Sequence, residues 1–221
     1  VNDTDEAYDI VMDAIITQKL APGQKVSENI LNEMFGVSRT ASRNLMERLT
    51  AEQFLISTSP RITQVAPLTL LEIKQNFALR HLISLEAVTL SLAKIDLEKL
   101  DEFWREIEAL HPIESEEQAL EVLKINMKTN IFLGNGSGYP LMQNWHKQLE
   151  YTAMRIYWFY MKTNKSLPVS FDRQNIIRQL IEDGETEKVR ETLHQSLIDT
   201  ENKILNGIIT SQPFLNQDLR I

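Results

Sequence analysis

Arg39, Thr40 and Arg43 stand close together directly after the tripeptide Gly36-Val37-Ser38. A guanidinium presents a planar fork of N–H donors that matches the O6/N7 edge of guanine and also the oxygens of a phosphate. Arg43 follows Arg39 at i+4, so on a helix both project from one face. Ser38 and Thr40 add hydroxyls at what would be that helix's first turn, where free backbone N–H groups favour an anion. Arg48 and Arg61 place two more cations nearby. Together these residues suit recognition of a nucleic-acid duplex. The competing reading is a solvated helix face on which the arginines pair with Glu33 or Glu47.

Such contacts need two short helices set at an angle, and the flanking sequence supplies them. Asp5 to Leu20 is expected to be helical, with Ala7, Ile10, Val11, Ala14, Ile15 and Leu20 on one apolar face. Ala21-Pro22-Gly23 ends it. Ser27 is a suitable N-cap for a second helix, Glu28 to Phe35, with Ile30, Leu31 and Met34 inward. Ser38 caps a third, from Arg39 to about Gln53, carrying Ala41, Leu45, Met46 and Leu49. Phe54 to Ser57 and Ile62 to Ala66 read as a two-stranded hairpin. Three helices followed by a hairpin is the winged helix-turn-helix order, with the third helix entering the major groove N-terminus first.

After Pro67 the pattern is helical throughout. Apolar periodicity predicts helices over 70–92, 97–110, 115–133, 141–162, 170–182 and 185–205. The expected fold is mainly α: a winged helix-turn-helix over residues 1–67 and an all-helical antiparallel bundle over 68–221.

Bulk composition agrees. A chain of 221 residues with 43% hydrophobic and 24% charged residues can fold as two small domains. It has no cysteine, which excludes disulfides and thiolate metal sites and fits a reducing cytoplasm. No apolar run is long enough to span a membrane. The opening Val1-Asn2-Asp3-Thr4-Asp5 is acidic and unlike a signal peptide, and without an initiator Met it is expected to follow a removed leader or tag. The net charge of -8 looks hostile to DNA. Its distribution is not: from Met34 to Arg61 there are 4 Arg against 2 Glu, while Asp3, Asp5, Glu6, Asp9 and Asp13 crowd the start. There is no nucleophile elbow, phosphate loop or Cys/His pair, and no carboxylate–histidine cluster for metal-assisted hydrolysis. An enzyme is not expected.

The stretch Leu20-Ala-Pro-Gly-Gln-Lys-Val-Ser-Glu28, then Phe35-Gly-Val-Ser-Arg-Thr40, then Arg43 and Arg48-Leu49, resembles the GntR family of bacterial regulators. The resemblance implies a homodimer on a short palindromic operator in double-stranded DNA, contacted mainly by Arg39, Thr40 and Arg43. Two departures stand out: Ile62 and Gln53 occupy positions where the family usually or often has glycine, so the wing tip has its own shape.

The remainder resembles the FadR-type (FCD) C-terminal domain of that family. Three stretches carry this: Leu79-Arg80 to Ala93, the turn Ser137-Gly138-Tyr-Pro-Leu141, and Ile177 to Val189 with Leu180-Ile181 and Gly184-Glu185. Many such domains hold a metal through an Asp and a His at i, i+4 plus two later histidines. Counting from the matched turns places those positions at Asn126, Asn130, Gln174 and Ser196, with His194 as the alternative to Ser196. Amides and a hydroxyl would hold a divalent ion weakly, so no metal and no cofactor are expected. His81, His111 and His146 show no ligand spacing and read as surface or packing residues.

The polar set is open to two readings: a pocket that hydrogen-bonds a small effector directly, or groups satisfied locally in a domain that only dimerises. In the first, Arg80 is the counter-charge for a carboxylate or phosphate, an organic acid above all, with Tyr151 and Arg155 as further pocket candidates; the competing reading of Arg80 is an inter-helix ion pair. The function expected is a cytoplasmic transcription regulator, a repressor, controlled by that effector.

Overall fold

The computed structural model describes residues 4–59 and 62–209. The chain divides into two compact units between Thr69 and Leu70; the sequence suggested a division after residue 67.

The first unit contains helix α1 (Thr4–Ile16), strand β1 (Lys25–Val26), helix α2 (Glu28–Phe35), helix α3 (Arg39–Ala51) and strands β2 (Leu55–Ser59) and β3 (Ile62–Val65). Its sheet is antiparallel in the order β1-β3-β2. Two expectations change here. The first helix stops at Ile16 rather than Leu20, because Gln18 turns into the left-handed region at φ 61. Strand β1 was not foreseen: two residues are too few for a period-2 pattern, and they become a strand only by pairing Lys25 with Gln64 and Val26 with Thr63.

The core of this unit is Ala7, Val11, Ile15 and Leu20 against Leu31, Ala41, Leu45, Leu49, Phe54 and Val65, all buried. Met34, expected inward, is exposed; α2 is short and buries only Leu31 fully. The ends of α2 and α3 are set by capping. Ser27 Oγ accepts from the Ile30 N–H, and Ser38 Oγ accepts from the Ala41 N–H. Gly36 ends α2 at φ 66, a left-handed conformation with no Cβ cost for glycine, and its N–H donates to the Asn32 carbonyl.

The second unit is a helical bundle. Its first helical run is α4 (Leu70–Leu79), a π-helical turn (Arg80–Ser84), α5 (Leu85–Ser91) and a 3-10 turn (Leu92–Lys94). Then follow α6 (Leu97–Ala109), α7 (Glu116–Gly134), α8 (Pro140–Asn164), α9 (Gln174–Glu182) and α10 (Thr186–Ile209). Helix α9 begins at Gln174 instead of Ser170: Ser170 Oγ instead donates to Asp172 and accepts from its N–H, a local arrangement that competes with helix. Helix α7 packs on α5, α6 and α8, and α10 packs on α5, α8 and α9. One apolar cluster is built on Val88, Leu92, Leu100, Leu133, Ile177 and Val189, and a second on Ile107, Val122 and Ile125.

Gln53 also adopts a left-handed conformation, at φ 63, just past α3 and exposed. A side chain there costs roughly 1 kcal/mol, partly offset in a glycine variant by the freer unfolded chain. Gln53→Gly is therefore expected to stabilise the first unit by about 0.5–1 kcal/mol. A lower midpoint in denaturant unfolding followed by circular dichroism would contradict this.

Candidate functional site

Two surfaces carry the residues singled out in the sequence, one in each unit. On the first unit, Arg39, Thr40 and Arg43 are all exposed on the first two turns of α3. Arg43 Nε reaches Glu28 Oε1 at 3.3 Å, with the Arg43 side chain still 69% exposed. Such a pair is worth at most about 1 kcal/mol and is readily exchanged for another anion. Ser38 is the N-cap, so its hydroxyl is engaged in ordering the helix start.

Arg48 is placed differently. Its guanidinium lies 3.8 Å from the Tyr8 ring centroid and binds Glu52 Oε1 at 3.1 Å and Asp5 Oδ1 at 3.0 Å. Tyr8 donates to Glu52 Oε2 at 2.7 Å, closing a network that braces α3 against α1. Ile62 opens β3 opposite Ser59, beyond an irregularity in the register between Ser57 and Ser59. Arg61 lies outside the described residues.

In the second unit, Arg80, Asn126, Asn130, Gln174 and Ser196 line a single cavity of about 150 Å³. They come from the π turn, α7, the start of α9 and α10. Its apolar wall includes Leu85, Val88, Trp104, Phe171 and Ile177. Ser196 is the inward residue; His194 instead meets the His81 ring edge-on at 5.0 Å.

Tyr151 and Arg155 are not among the lining residues, which corrects the expectation for both. At about 100° per residue they sit well round α8 from Glu150, whereas His146, Glu150 and Tyr157 share one stripe and do line the cavity. Burial pushes the Arg155 guanidinium down to about 10, with Glu72 opposing, so it is still charged at neutral pH.

The centre of the site is a buried ion pair. Arg80 Nε donates to Glu150 Oε1 at 3.0 Å, its terminal nitrogen donates to Oε2 at 3.2 Å, and its other terminal nitrogen donates to Tyr157 Oη at 2.6 Å. Asn130 Nδ2 donates to the same carboxylate at 2.9 Å. Burial pulls the Arg80 guanidinium down, but the charge of Glu150 and the Tyr157 phenol outweigh it and hold it above its ordinary range. Burial pushes the Tyr157 phenol up against the opposing charge of Arg80, so it keeps its proton. Arg80 is thus a lining residue but not an unengaged cation.

His146 is buried beside this pair, its Nε2 2.8 Å from the Asn130 carbonyl oxygen. A carbonyl only accepts, so Nε2 carries the proton. Gly134 permits the approach: a Cβ there would stand 2.3 Å from the imidazole Cδ2. Arg173, at the cavity wall, donates to Ser196 Oγ at 3.0 Å and pairs with Asp199 at 2.8 Å.

Sequence reasoning missed Ser84, His146, Glu150, Tyr157 and Arg173. The His146–Glu150 spacing of i, i+4 on one helix was the available signal.

The four positions that the FCD resemblance would assign to metal ligands do not fit a divalent ion. They offer amides and a hydroxyl, and Ser196 is bound by the Arg173 cation. Glu150, the lone lining carboxylate among the described residues, is committed to Arg80. No three His, Cys, Asp or Glu side chains form a metal-binding group among the described residues.

Residues 3–65 match the family model of bacterial regulatory proteins of the gntR family. The first unit has a winged helix-turn-helix fold and is similar to the domain of that family. No protein of curated function matches the chain in sequence. The fold is similar to that of E. coli McbR/YncC, at 17% identity and a TM-score of 0.72, covering 94% of this chain and 99% of that one. It is similar to a Rhodococcus sp. RHA1 protein designated a GntR transcriptional regulator, at 20% identity and a TM-score of 0.68, covering 92% and 97%. A third likeness is to Lar, described as controlling expression of the Listeria monocytogenes agr system, at 19% identity and a TM-score of 0.59, covering 93% and 98%. No helix among the described residues is long and apolar enough to cross a membrane.

Breaking the buried pair from one side strands a charge. Glu150→Ala is expected to destabilise the second unit by roughly 3–5 kcal/mol, while the apolar double variant Arg80→Met/Glu150→Leu costs far less or nothing. Chemical denaturation measures both. Equal losses in the two variants would mean that the pair is not electrostatically coupled.

Proposed function

We propose that this protein is a homodimeric transcriptional repressor of the cytoplasm. Its gntR-type head reads a palindromic operator, and its helical domain, of the FCD type, binds a small-molecule effector without a metal. The observation that carries the DNA-reading assignment is the exposed Arg39–Thr40–Arg43 face at the capped start of α3. Arg39 and Arg43 are assigned to base edges or phosphate, and Ser38 and Thr40 to phosphate near the helix N-terminus. Arg43 leaves its solvent-exposed partner Glu28 to do so. Arg48 is assigned the supporting role of holding α3 in place, because its charge is already matched by Asp5 and Glu52.

Dimerisation is supported by large apolar side chains left in solvent on the second unit, among them Leu71, Leu82, Leu141 and Trp145. Two copies related by a twofold axis would present recognition helices about one DNA turn apart, roughly 34 Å. An effector that binds one arrangement of the dimer better than another shifts the population between them.

Convergence of Arg80, Asn126, Asn130 and Gln174 on one cavity favours effector binding over a domain that only dimerises. Scattered to the surface, those residues would have favoured dimerisation alone. The family and the fold point to regulation in place of catalysis.

The DNA assignment is tested with duplexes selected from a random pool by the full chain and titrated by fluorescence anisotropy. Arg39→Ala and Arg43→Ala are each expected to weaken the selected site by roughly 5- to 150-fold, with an unchanged melting temperature. Selective loss in Arg48→Ala alone would overturn the assignment.

A further inference from the structure

We infer that the cavity of the second unit is built for an uncharged, hydroxyl-bearing molecule, a small polyol or sugar in its chemistry, rather than for an organic acid. This rests on the effector reading above and narrows it.

The case against an acid is electrostatic. A carboxylate that loses water on entering needs a cation to meet it, because desolvating an unpaired charge costs several kcal/mol. Two cations line this cavity among the described residues, and each already has a carboxylate partner. Arg80 is chelated by Glu150 and bonded to Tyr157. Arg173 is held by Asp199 and Ser196. An entering anion would also meet the Glu150 carboxylate itself. An entering amine would meet two guanidinium groups.

The case for a hydroxyl comes from what the cavity leaves unsatisfied. Buried polar atoms in a folded protein nearly always have partners. Two that line this cavity have none: Ser84 Oγ and His146 Nδ1. Both residues are more than nine-tenths buried. In the tautomer that carries its proton on Nε2, His146 Nδ1 is a lone-pair acceptor. Only a ligand that brings an O–H or N–H can answer it, and a carboxylate at neutral pH brings neither.

Ser84 is unusual among the helical hydroxyls. Thr89, Ser91, Thr129, Ser196 and Thr200 each donate to the carbonyl four residues back. Ser84 sits in the π turn, where the carbonyl of Arg80 accepts instead from the Leu85 N–H, five residues on. The Ser84 hydroxyl has no partner and can both donate and accept.

The amides of Asn126 and Gln174 also line the cavity and make no protein hydrogen bond among the described residues. The Tyr157 phenol accepts from Arg80 and retains its own O–H to donate. Donors, acceptors and groups that do both are therefore mixed around one space, with the Trp104 and Phe171 rings as apolar walls. A molecule with several hydroxyls on a carbon skeleton satisfies that mixture, each hydroxyl donating to one neighbour and accepting from another. The volume of about 150 Å³ limits it to a small one.

The experiment uses the full chain and follows thermal melting with erythritol, xylitol, arabinose and glucose. Beside them run the matched acids erythronate, xylonate, arabinonate and glucuronate, and also glucosamine. Each is tested at millimolar concentration, below the range where polyols stabilise proteins generally. A neutral member is expected to raise the melting temperature by roughly 5–10 °C at a hundredfold excess over its Kd.

In Ser84→Ala the melting temperature without ligand is expected to stay the same or rise, because the lost hydroxyl had no partner. Affinity for the neutral ligand should fall roughly tenfold. A rise with an acid or with glucosamine in place of the neutral compounds overturns the ligand class and leaves the effector reading standing. A rise with a neutral compound that Ser84→Ala does not weaken overturns the assigned site. No rise with any compound overturns the effector reading and this inference with it.

Discussion

The second unit is organised around one interaction, the ion pair of Arg80 and Glu150 in its interior. Removing a guanidinium and a carboxylate from water costs several kcal/mol for each ion, and their attraction recovers this only when geometry is close and the remaining donors and acceptors are met. Both conditions hold here. The contact is bidentate, Tyr157 takes the remaining terminal nitrogen, and Asn130 donates to the carboxylate from a third direction. The first helical run, α7 and α8 are thus tied through one charged centre. A core of aliphatic side chains alone could slide by a turn with little loss; this one cannot without separating charges.

The cavity exists because that centre is polar on one side and bordered by short or flat side chains elsewhere. Gly134 lets the His146 ring lie against α7, so the imidazole fills the space where another side chain would have blocked the approach. The π turn has the same effect on the opposite wall. It closes a backbone hydrogen bond over five residues instead of four, and both Arg80 and Ser84 in it line the cavity. The unpartnered Ser84 Oγ and His146 Nδ1 are a stability cost.

The sequence was most informative where local chemistry decides structure. Gly36-Val37-Ser38, Ser27 and the apolar spacing of α2 and α3 located the helix-turn-helix to the residue at α2, because caps and turns act within four positions. Strand β1 escaped notice since its existence depends on a partner forty residues away. In the second unit, Asn126, Asn130, Gln174 and Ser196, which the FCD resemblance suggests, line one cavity. The partner of Arg80 was harder to read, because Glu150 is seventy residues further along and its local mark is only the i, i+4 spacing from His146. Choosing Tyr151 and Arg155 on α8 was an error of helical phase: the cavity stripe runs through His146, Glu150 and Tyr157.

Gln53 shows how an apparent departure from a family pattern acquires physical meaning. Glycine is favoured after the recognition helix because the chain there turns left-handed, and this protein makes the same turn with a glutamine at φ 63. The backbone path is retained at some cost in strain. The substitutions in the second unit differ in kind. The amides of Asn126, Asn130 and Gln174 and the hydroxyl of Ser196 are not strained. They join a paired arginine, an imidazole and a π-turn serine in a cavity whose guanidinium groups each have a carboxylate partner.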